Sequence, residues 1–599
     1  MKTDSSQRSE ILFNIGLSLA LTALFVVVLK LFCSFTYAIV DDPYIDDILR
    51  GAYTGEASPL VYYIKMPLAV VLSGLYRLAP AVNWHFLLQE GSYYICILLV
   101  NYRIFSNVRK KHNRFIFSLL FMAVFFLCFG NCITTGHYSL SAGFLCAGGV
   151  FWFLTIPKEI TKGRLAVDYI ISLVLLWLGY CLRANTLFMV LPVAGIVWIF
   201  KALEAEKVFC KKNVIRFIIF PLVLFIGVGG IELINRAEYK QEKWADFESF
   251  NDARTQLYDF YTYAPYEGNE EFYESLGISE LRYDMIKNRY YLEFMDGTAP
   301  DALEQIAEKS VNDYNEAHPF GERLLDAIKA LPGHLTKKDY FPESMITAVL
   351  LIALFLVSML AGKWRLTLGT VLAFGAWLVP WVWMIYMNKP VPRVCLSLFG
   401  LALMSLLGII INRAESIRDW FEAKERNHGK AGVAIKIIVA VLCFAGLLGW
   451  SVKTQAATED SMAEWIRTGN VRAELEAYTE AHPENLYIAE TNAFIGLGYN
   501  LDNMDNSLKN LYWPGGWSAR ILPAREIWDR YGIESIEKAI IEEDNIYLVS
   551  KARADMSYWV DFYSENYVGV TLTLTDKVFI DDYTFYVYKL SGESTTVTK

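Results

Sequence analysis

Four aspartates in one short segment are the residues of this sequence best suited to acid–base chemistry. Asp41 and Asp42 are adjacent, and Asp46 and Asp47 follow closely. A carboxylate pair suits a general base that takes a proton from a sugar hydroxyl, or a ligand of a divalent metal ion. Like charges this close raise the pKa of one partner, which also favours a base. The alternative interpretation is a solvated acidic loop in which Asp42 caps a helix and Pro43 stands in its first turn.

The segment before these aspartates determines where they lie. Residues 11–35 form an apolar run long enough to cross a bilayer as a helix. This run is too long for a signal peptide and lacks a small-residue cleavage site, so we predict a retained anchor. The aspartates begin about six residues after it, and we therefore expect them at the membrane surface, at the depth of a lipid phosphate.

The composition indicates a membrane protein. The chain has 599 residues, of which 54% are hydrophobic and only 20% charged, whereas a soluble domain has about 25% charged residues. This composition excludes a soluble enzyme, a disordered protein and a secreted disulfide scaffold. The net charge of −9 provides no basic face for nucleic acid, so none is expected as a partner.

We predict eleven membrane spans. They cover residues 11–35, 90–104, 115–130, 140–154, 167–181, 185–200, 217–234, 346–360, 366–387, 394–411 and 435–450. Clusters of lysine and arginine follow every even-numbered span, and the positive-inside rule makes that side cytoplasmic. We therefore expect a multi-pass protein of the plasma membrane and cell envelope, with its N-terminus in the cytoplasm and its C-terminus outside.

This topology divides the chain into four parts. Residues 1–234 form a transmembrane module that includes a first outer loop at 36–89, and residues 235–343 form a second outer segment. Residues 344–450 form the C-terminal membrane helices, and residues 451–599 form an extracytoplasmic tail. Within the first outer loop, residues 60–78 are apolar but contain charges, which predicts a half-embedded helix.

The tail has the pattern of a small α/β domain. Strands are predicted at 485–488, 545–549, 570–580 and 584–590, and helices at 524–530 and 533–541. Between them, the turn Trp513-Pro-Gly-Gly-Trp517 carries two large aromatic side chains that suit either sugar stacking or a structural plug. The predicted fold class is thus a polytopic α-helical membrane protein with a C-terminal α/β domain.

The first outer loop resembles that of the GT-C superfamily of membrane glycosyltransferases. An acidic pair, a Gly55-Glu56 turn and the tripeptide Ser-Pro-Leu at 58–60 follow the first span in that order. Protein O-mannosyltransferases and lipid A aminoarabinose transferases are similar, with Asp-Glu in place of Asp41-Asp42 and Pro-Pro-Leu in place of Ser-Pro-Leu. The resemblance covers about residues 1–235, with no counterpart claimed for the tail.

This resemblance implies an enzyme that moves a sugar from a polyprenyl-phosphate donor to a glycan, lipid or protein acceptor. It places Asp41 at the position of the catalytic aspartate and Asp42 at that of the adjacent acid. No metal or other cofactor is required by such transfer, while a divalent metal on Asp46 and Asp47 stays an alternative.

Three basic residues are candidates for holding the donor phosphate. Arg183 lies in a tight turn between two apolar spans, where a charge is costly and therefore suggests a function. Lys389 and Arg393 lie in a second rigid turn, Lys-Pro-Val-Pro-Arg, on the same predicted side. A guanidinium pairs well with phosphate. The alternatives are snorkelling of Arg183 to the interface and a proline turn with solvated charges.

Five further residues are predicted to contact substrate. Arg254 and Tyr258 are four apart on a predicted helix and would line a saccharide cleft, unless they pack the outer segment onto the membrane part. The others are Glu56 and Tyr62 in the first outer loop and His137 at an outer turn, where an ordinary turn residue is the alternative.

Two other functions stay open at this point. One is a flippase or transporter of a polyprenyl-linked saccharide, which would need more polar residues within its spans. The other is a non-catalytic membrane protein whose tail binds glycan. The sequence contains no P-loop and no Gly-x-Gly-x-x-Gly motif, so a nucleotide-sugar donor is unsupported.

Overall fold

The computed structural model describes residues 4–38, 41–108, 111–157, 160–203, 211–240, 242–289, 291–360, 362–412, 430–504, 506–551 and 555–594. The basic loops predicted after the second, fourth, sixth and tenth spans lie partly or wholly outside these residues.

A helix forms at each of the eleven predicted spans, because an apolar run in a bilayer satisfies its backbone hydrogen bonds within a helix. They are α1 (Asp4–Phe32), α4 (Trp84–Asn107), α5 (Lys111–Thr134), α6 (Tyr138–Leu154), α7 (Lys162–Leu182), α8 (Ala184–Leu203), α9 (Lys211–Glu238), α15 (Glu343–Leu360), α16 (Trp364–Tyr386), α17 (Pro392–Asn412) and α18 (Lys430–Glu480). Among the residues that the structure describes, eight helices are long and apolar enough to cross a membrane, namely α1, α5, α7, α8, α9, α15, α16 and α17. The chain is a multi-pass membrane protein.

Helix α18 crosses one of the predicted boundaries. It is a single helix of 51 residues, so the last predicted span continues past residue 450 into the tail without a break. The tail is therefore attached to the membrane part by a continuous helix.

Helix α6 lies at the centre of the bundle. Its side chains are buried along its whole length, and it packs against α4, α7 and α17. A Cβ at Gly143 would lie 2.4 Å from the Cβ of Ser397 on α17, and one at Gly149 would lie 2.9 Å from Leu176 on α7. Small residues thus allow close helix approach, which brings the start of α6 near the starts of α8 and α17.

The first outer loop folds onto this end of the bundle. Strand β1 (Thr36–Tyr37) pairs in parallel with β2 (Thr135–Gly136), and helices α2 (Asp41–Arg50) and α3 (Met66–Leu78) follow β1. A 13-residue helix is about 20 Å long, shorter than the hydrocarbon core of about 30 Å. This length agrees with the predicted half-embedded segment.

The second outer segment is helical and has its own small core. Its elements are α10 (Glu242–Thr255), a π-helical turn (Gln256–Phe260), α11 (Glu270–Ser275), α12 (Glu280–Asn288), α13 (Ala302–Ala317), α14 (Phe320–Leu335) and a 3₁₀ turn (Lys338–Tyr340). Buried Tyr273, Ile278, Ile286 and Ile306 form the centre of this core.

The tail is an α/β domain in which four strands lie close to the predicted positions, and the short β4 was not predicted. The strands are β3 (Leu486–Ala489), β4 (Leu511–Tyr512), β5 (Ile546–Lys551), β6 (Tyr567–Ile580) and β7 (Tyr583–Ser594), with helices α19 (Thr491–Phe494), α20 (Leu522–Tyr531), α21 (Ile536–Glu542) and α22 (Ser557–Tyr563). The sheet order is β4-β3-β5-β7-β6. Strands β3, β4 and β5 are parallel, and β7 pairs antiparallel with β5 and β6.

Charge pairs fix the tail to the second outer segment. Arg282 of α12 makes a two-pronged contact with Glu537 of α21 at 2.8 and 2.7 Å. Buried Glu293 accepts hydrogen bonds from Arg520 at 2.7 Å and Arg525 at 3.2 Å. Both acids are largely buried, and bidentate pairing of this kind also fixes orientation. The two polar parts therefore sit together on one side of the bundle.

We expect the tail to lie outside the cell. A cysteine introduced by Ser591→Cys on the exposed end of β7 should react with a membrane-impermeant maleimide in intact cells. The matched control is Thr161→Cys, at an exposed position in a predicted cytoplasmic loop, which should react only after lysis. The unsubstituted protein gives the background from its native cysteines. The opposite pattern would contradict the topology.

Candidate active site

The carboxylate of Asp42 anchors the first outer loop to the membrane helices. It is fully buried, and its Oδ1 accepts hydrogen bonds from Gln89 Nε2 at 2.6 Å and from the backbone N–H of Tyr138 at 3.0 Å. His85 Nε2 lies 3.2 Å from the same oxygen. Burial raises the pKa of Asp42, while His85 and the Tyr138 N–H oppose that shift. Because these partners belong to α4 and α6, Asp42 does not act as the cap of its own helix.

Asp41 is the accessible member of the acidic segment. Its side chain is partly exposed, whereas Asp42, Asp46 and Asp47 are 0, 1 and 3% exposed. Its Oδ1 accepts a hydrogen bond from the indole N–H of Trp517, in the tail, at 3.0 Å. Of the two acids predicted as catalytic, the structure leaves Asp41 open to a substrate and encloses Asp42.

Asp46 and Asp47 are paired with protein groups. Asp46 accepts a hydrogen bond from the Tyr76 hydroxyl, and burial raises its pKa to about 6. Asp47 forms an ion pair with Arg50 at 2.8 Å. Within the described ranges, no group of three or more His, Cys, Asp or Glu side chains is arranged to hold a metal ion.

Arg183 lies beside Asp41, between α7 and α8. Its guanidinium carbon is 4.7 Å from the centre of the Tyr63 ring and 5.4 Å from that of Tyr138. Burial lowers its pKa, but Tyr138, Tyr63 and Asp41 outweigh that effect and raise it overall. The guanidinium therefore stays charged, and the faces of the two tyrosines stabilise it as a cation–π pair.

Three more cations lie around this position. Asp259 contacts both Arg254 at 3.9 Å and Lys389 at 2.9 Å, and Arg254 also donates to the Tyr63 hydroxyl at 3.4 Å. The charge of Arg393 acts on both Lys389 and His137. The pKa of Lys389 is lowered, mainly by burial and further by the neighbouring cations. Its ion pair with Asp259 opposes this shift.

We call Asp41, Arg183, Arg254, Asp259, Lys389 and Arg393 the charge cluster. Its four cations face two carboxylates, which leaves an excess of two positive charges. The members come from α2, from the starts of α8 and α17, and from the α10 region. The structure thus brings together the catalytic candidate Asp41 and all three predicted phosphate-binding residues.

His137 adds a neutral donor beside the cluster. Its Nδ1 accepts a hydrogen bond from the Ser139 N–H at 3.1 Å, so the proton of the neutral ring is on Nε2. That buried Nε2 has no hydrogen-bond partner within the part of the chain that the structure describes. Burial, followed by the charges of Arg393 and Arg183, lowers the pKa of His137 well below its usual range. The imidazole is therefore neutral at physiological pH.

Three of the predicted substrate-binding residues have other surroundings. Tyr62 packs on Phe247, with ring centres 5.1 Å apart, whereas its neighbour Tyr63 faces the cluster. Glu56 is exposed in a turn, and its main-chain N–H and C=O both bond to the Thr54 hydroxyl.

Tyr258 and Arg254 have different partners. Helix α10 ends at Thr255, and the π-helical turn that follows carries both Tyr258 and Asp259. Asp259 lies 3.9 Å from Arg254, whereas the Tyr258 hydroxyl donates to the carbonyl of Ile286 in the core of the second outer segment. The structure brings Arg254 to the cluster and leaves Tyr258 as packing.

Sequence reasoning did not identify three residues of this site. The pattern favours their neighbours Tyr62 and Tyr258 over Tyr63 and Asp259, and it gives Trp517 no partner. Trp517 and Asp41 are 476 positions apart, and no local pattern in the sequence connects them.

No family model matches this sequence, and no curated protein does. Among solved structures, the fold is similar to the crystal structure of ArnT from Cupriavidus metallidurans bound to undecaprenyl phosphate. The two share 11% sequence identity over 96% of this chain and 98% of that chain, with a TM-score of 0.38. At this score the similarity transfers no function to this chain.

The two adjacent aspartates should differ sharply in their effect on stability. Asp42→Ala leaves buried donors on α4 and α6 without an acceptor, at a cost of about 3 kcal/mol or more. Asp41→Ala removes one hydrogen bond at a partly exposed position and should cost about 1 kcal/mol. Thermal unfolding of the purified proteins in one detergent measures both. Equal losses of stability would contradict the anchoring role of Asp42.

Proposed function

We propose that this chain is a membrane glycosyltransferase that moves a sugar from a polyprenyl-phosphate donor to an acceptor hydroxyl outside the cytoplasm. The observation that supports it is the charge cluster itself, a partly exposed carboxylate next to an excess of two positive charges at the ends of membrane helices. Such a cluster is costly without an anionic ligand, and a lipid phosphate supplies the matching charge.

In this proposal Asp41 is the general base. A sugar hydroxyl is a weak nucleophile, so a carboxylate must accept its proton as it attacks. The acceptor oxygen forms a bond to the anomeric carbon, and the bond from that carbon to the phosphate oxygen breaks, with inversion. The proton passes to Asp41, and the electron pair leaves with the polyprenyl phosphate. Arg183 and Arg393 hold the leaving phosphate, and the His137 Nε2–H adds a neutral donor as charge develops.

A groove in the membrane part suits the lipid chain of this donor. It is a shallow groove, with about 30 Å³ of enclosed space, and it lies between α8, α15, α16 and α17. Most of its lining is apolar and includes Val193, Leu351, Phe374, Trp377, Ala402 and Ile409. Ala402 is nine residues after Arg393 on α17, a distance of about 14 Å along the helix. A phosphate at Arg393 could thus have its chain in the groove.

Removal of the proposed base should abolish transfer and leave the fold intact. Asp41→Asn keeps the size of the side chain but cannot accept the proton, so the rate should fall at least about 100-fold. The transfer rate is measured as release of polyprenyl phosphate. The donors are a panel of synthetic polyprenyl-phosphate monosaccharides, and the acceptor is a glycan extract. Asp252→Asn, at an exposed acid of α10, is the control and should match the wild type. Transfer by Asp41→Asn within a few-fold of wild type would refute this role.

Replacing either arginine should weaken binding of the donor and leave the fold intact. Loss of one charge-assisted contact with phosphate costs about 1.5–3 kcal/mol, so Arg183→Ala or Arg393→Ala should raise the KM for the donor by about 10- to 100-fold. The control is Arg323→Ala. The Arg323 guanidinium packs over the Tyr386 ring, 4.2 Å from its centre, and contacts no residue of the charge cluster in the described structure. An unchanged KM in both single variants and in the double variant would reject the phosphate site.

A further inference from the structure

The turn at residues 513–519 of the tail reaches into the proposed active site. Trp513 fixes this turn by stacking on Phe494 at 5.3 Å and packing against Tyr44 of α2 at 5.5 Å. The Gly515 N–H donates to the Trp513 carbonyl at 2.9 Å, and Gly516 has a φ of +71°, which an L side chain rarely adopts. The following Trp517 is only 5% exposed, so its ring is held in one position.

Trp517 makes two contacts with the residues around the proposed base. Its indole N–H donates to Asp41 Oδ1 at 3.0 Å, and its ring meets Tyr63 edge to face with centres 4.8 Å apart. Tyr63 in turn faces Arg183. No hydrogen bond to the other oxygen, Asp41 Oδ2, occurs among the residues that the structure covers.

We infer that Trp517 is a positioning residue for the proposed base, so that the tail completes the active site. This inference rests on the proposed function. An indole nitrogen is a donor only and does not exchange its proton with a carboxylate. It therefore holds Oδ1 in place and leaves Oδ2 to accept the proton of the acceptor hydroxyl. A hydrogen bond to the charged form of a carboxylate also favours that form over the protonated one.

The other charged and titratable groups that act on Asp41 come from several elements. They are Asp42 on α2, Tyr63 in the first outer loop, Tyr138 on α6 and Arg183 between α7 and α8. Within the part of the chain that the structure describes, Arg183 is the one cation among them, and it belongs to the proposed phosphate site. Trp517 is thus the neutral donor that stabilises the carboxylate independently of whether the phosphate is bound.

The rest of the tail provides a rigid support for this contact. The tail is joined to the second outer segment through Arg282–Glu537 and to the membrane part through α18. Arg50 of α2 also donates to the Asn506 carbonyl at 3.3 Å. A movement of the tail as a whole would therefore carry Trp517 away from Asp41, and the tail cannot be a separate glycan-binding module without effect on the chemistry.

The test is the pH–rate profile of Trp517→Phe in the full-length protein. Phenylalanine keeps an aromatic ring against Tyr63 and removes the N–H. We expect kcat to fall about tenfold, the KM for a polyprenyl-phosphate monosaccharide to stay within twofold, and the acidic limb of the profile to move up by about one pH unit. The control is Trp364→Phe, at an exposed tryptophan at the start of α16 and outside the charge cluster, which should change neither kcat nor the limb.

A second variant guards against a loss of folding. In Trp517→His, the imidazole places a ring N–H at about the reach of the indole N–H, and above pH 7 the ring is neutral. It should keep more of kcat than Trp517→Phe. A Trp517→Phe variant with wild-type kcat and an unmoved limb, or a Trp517→His variant no faster than Trp517→Phe, would overturn the positioning role.

The outcome separates this inference from the proposed function. If Asp41→Asn is inactive and Trp517→Phe behaves as the wild type, only the role of Trp517 fails. If Asp41→Asn keeps the wild-type rate, the proposed function fails first, whatever the effect of Trp517→Phe.

Discussion

The structure on the tail side of the bundle depends on one buried acid, Asp42. A buried polar group is costly unless it is hydrogen-bonded, and the donors to Asp42 Oδ1 come from two membrane helices, through Gln89 and the Tyr138 N–H. Satisfying Asp42 therefore fixes α2 against α4 and α6. Asp41, the preceding residue, is then held at a defined place on the surface of the bundle. The same region of α6 contacts α17 through Gly143, which brings Arg393 to the same end.

The second constraint is electrostatic. Four cations in one small region repel each other, and a protein pays for this arrangement in stability unless something offsets the repulsion. Part of this repulsion is offset within the protein. The ring faces of Tyr63 and Tyr138 stabilise Arg183, and Asp259 pairs with both Arg254 and Lys389. An excess of positive charge is left over. Arrangements that oppose stability are expected where a site serves function, and an anionic lipid head group is the ligand that fits the membrane setting.

The sequence was sufficient for the parts of the structure that depend on local pattern. Long apolar runs predicted the positions of eleven helices, because a bilayer leaves the backbone no other arrangement, and among the described residues eight of these helices are long and apolar enough to cross a membrane. Period-two alternation and aromatic runs predicted the strands of the tail except the short β4. Charge in an apolar context singled out Arg183, Lys389 and Arg393. In the structure Arg183 interacts with Asp41, Lys389 pairs with Asp259, and Arg393 acts on Lys389.

What the sequence could not provide were contacts between distant segments and local departures from regular geometry. The adjacent aspartates are chemically identical, and only the fold makes Asp42 an anchor and leaves Asp41 accessible. The spacing of Arg254 and Tyr258 predicted a shared role, but Tyr258 bonds to Ile286 in the core of the second outer segment, and Asp259 of the π-helical turn is the partner of Arg254. The contact between Trp517 and Asp41 depends on how the tail is placed over the bundle, which no pattern of neighbouring residues records.

The most direct test of the central claim is a cryo-electron microscopy map of the full chain in lipid nanodiscs with added polyprenyl phosphate. The account predicts phosphate density between Arg183 and Arg393, on the same side of the bundle as Asp41, with the chain entering the groove between α8 and α17. Phosphate density at the opposite ends of the membrane helices, with the charge cluster unchanged from the lipid-free state, would contradict it.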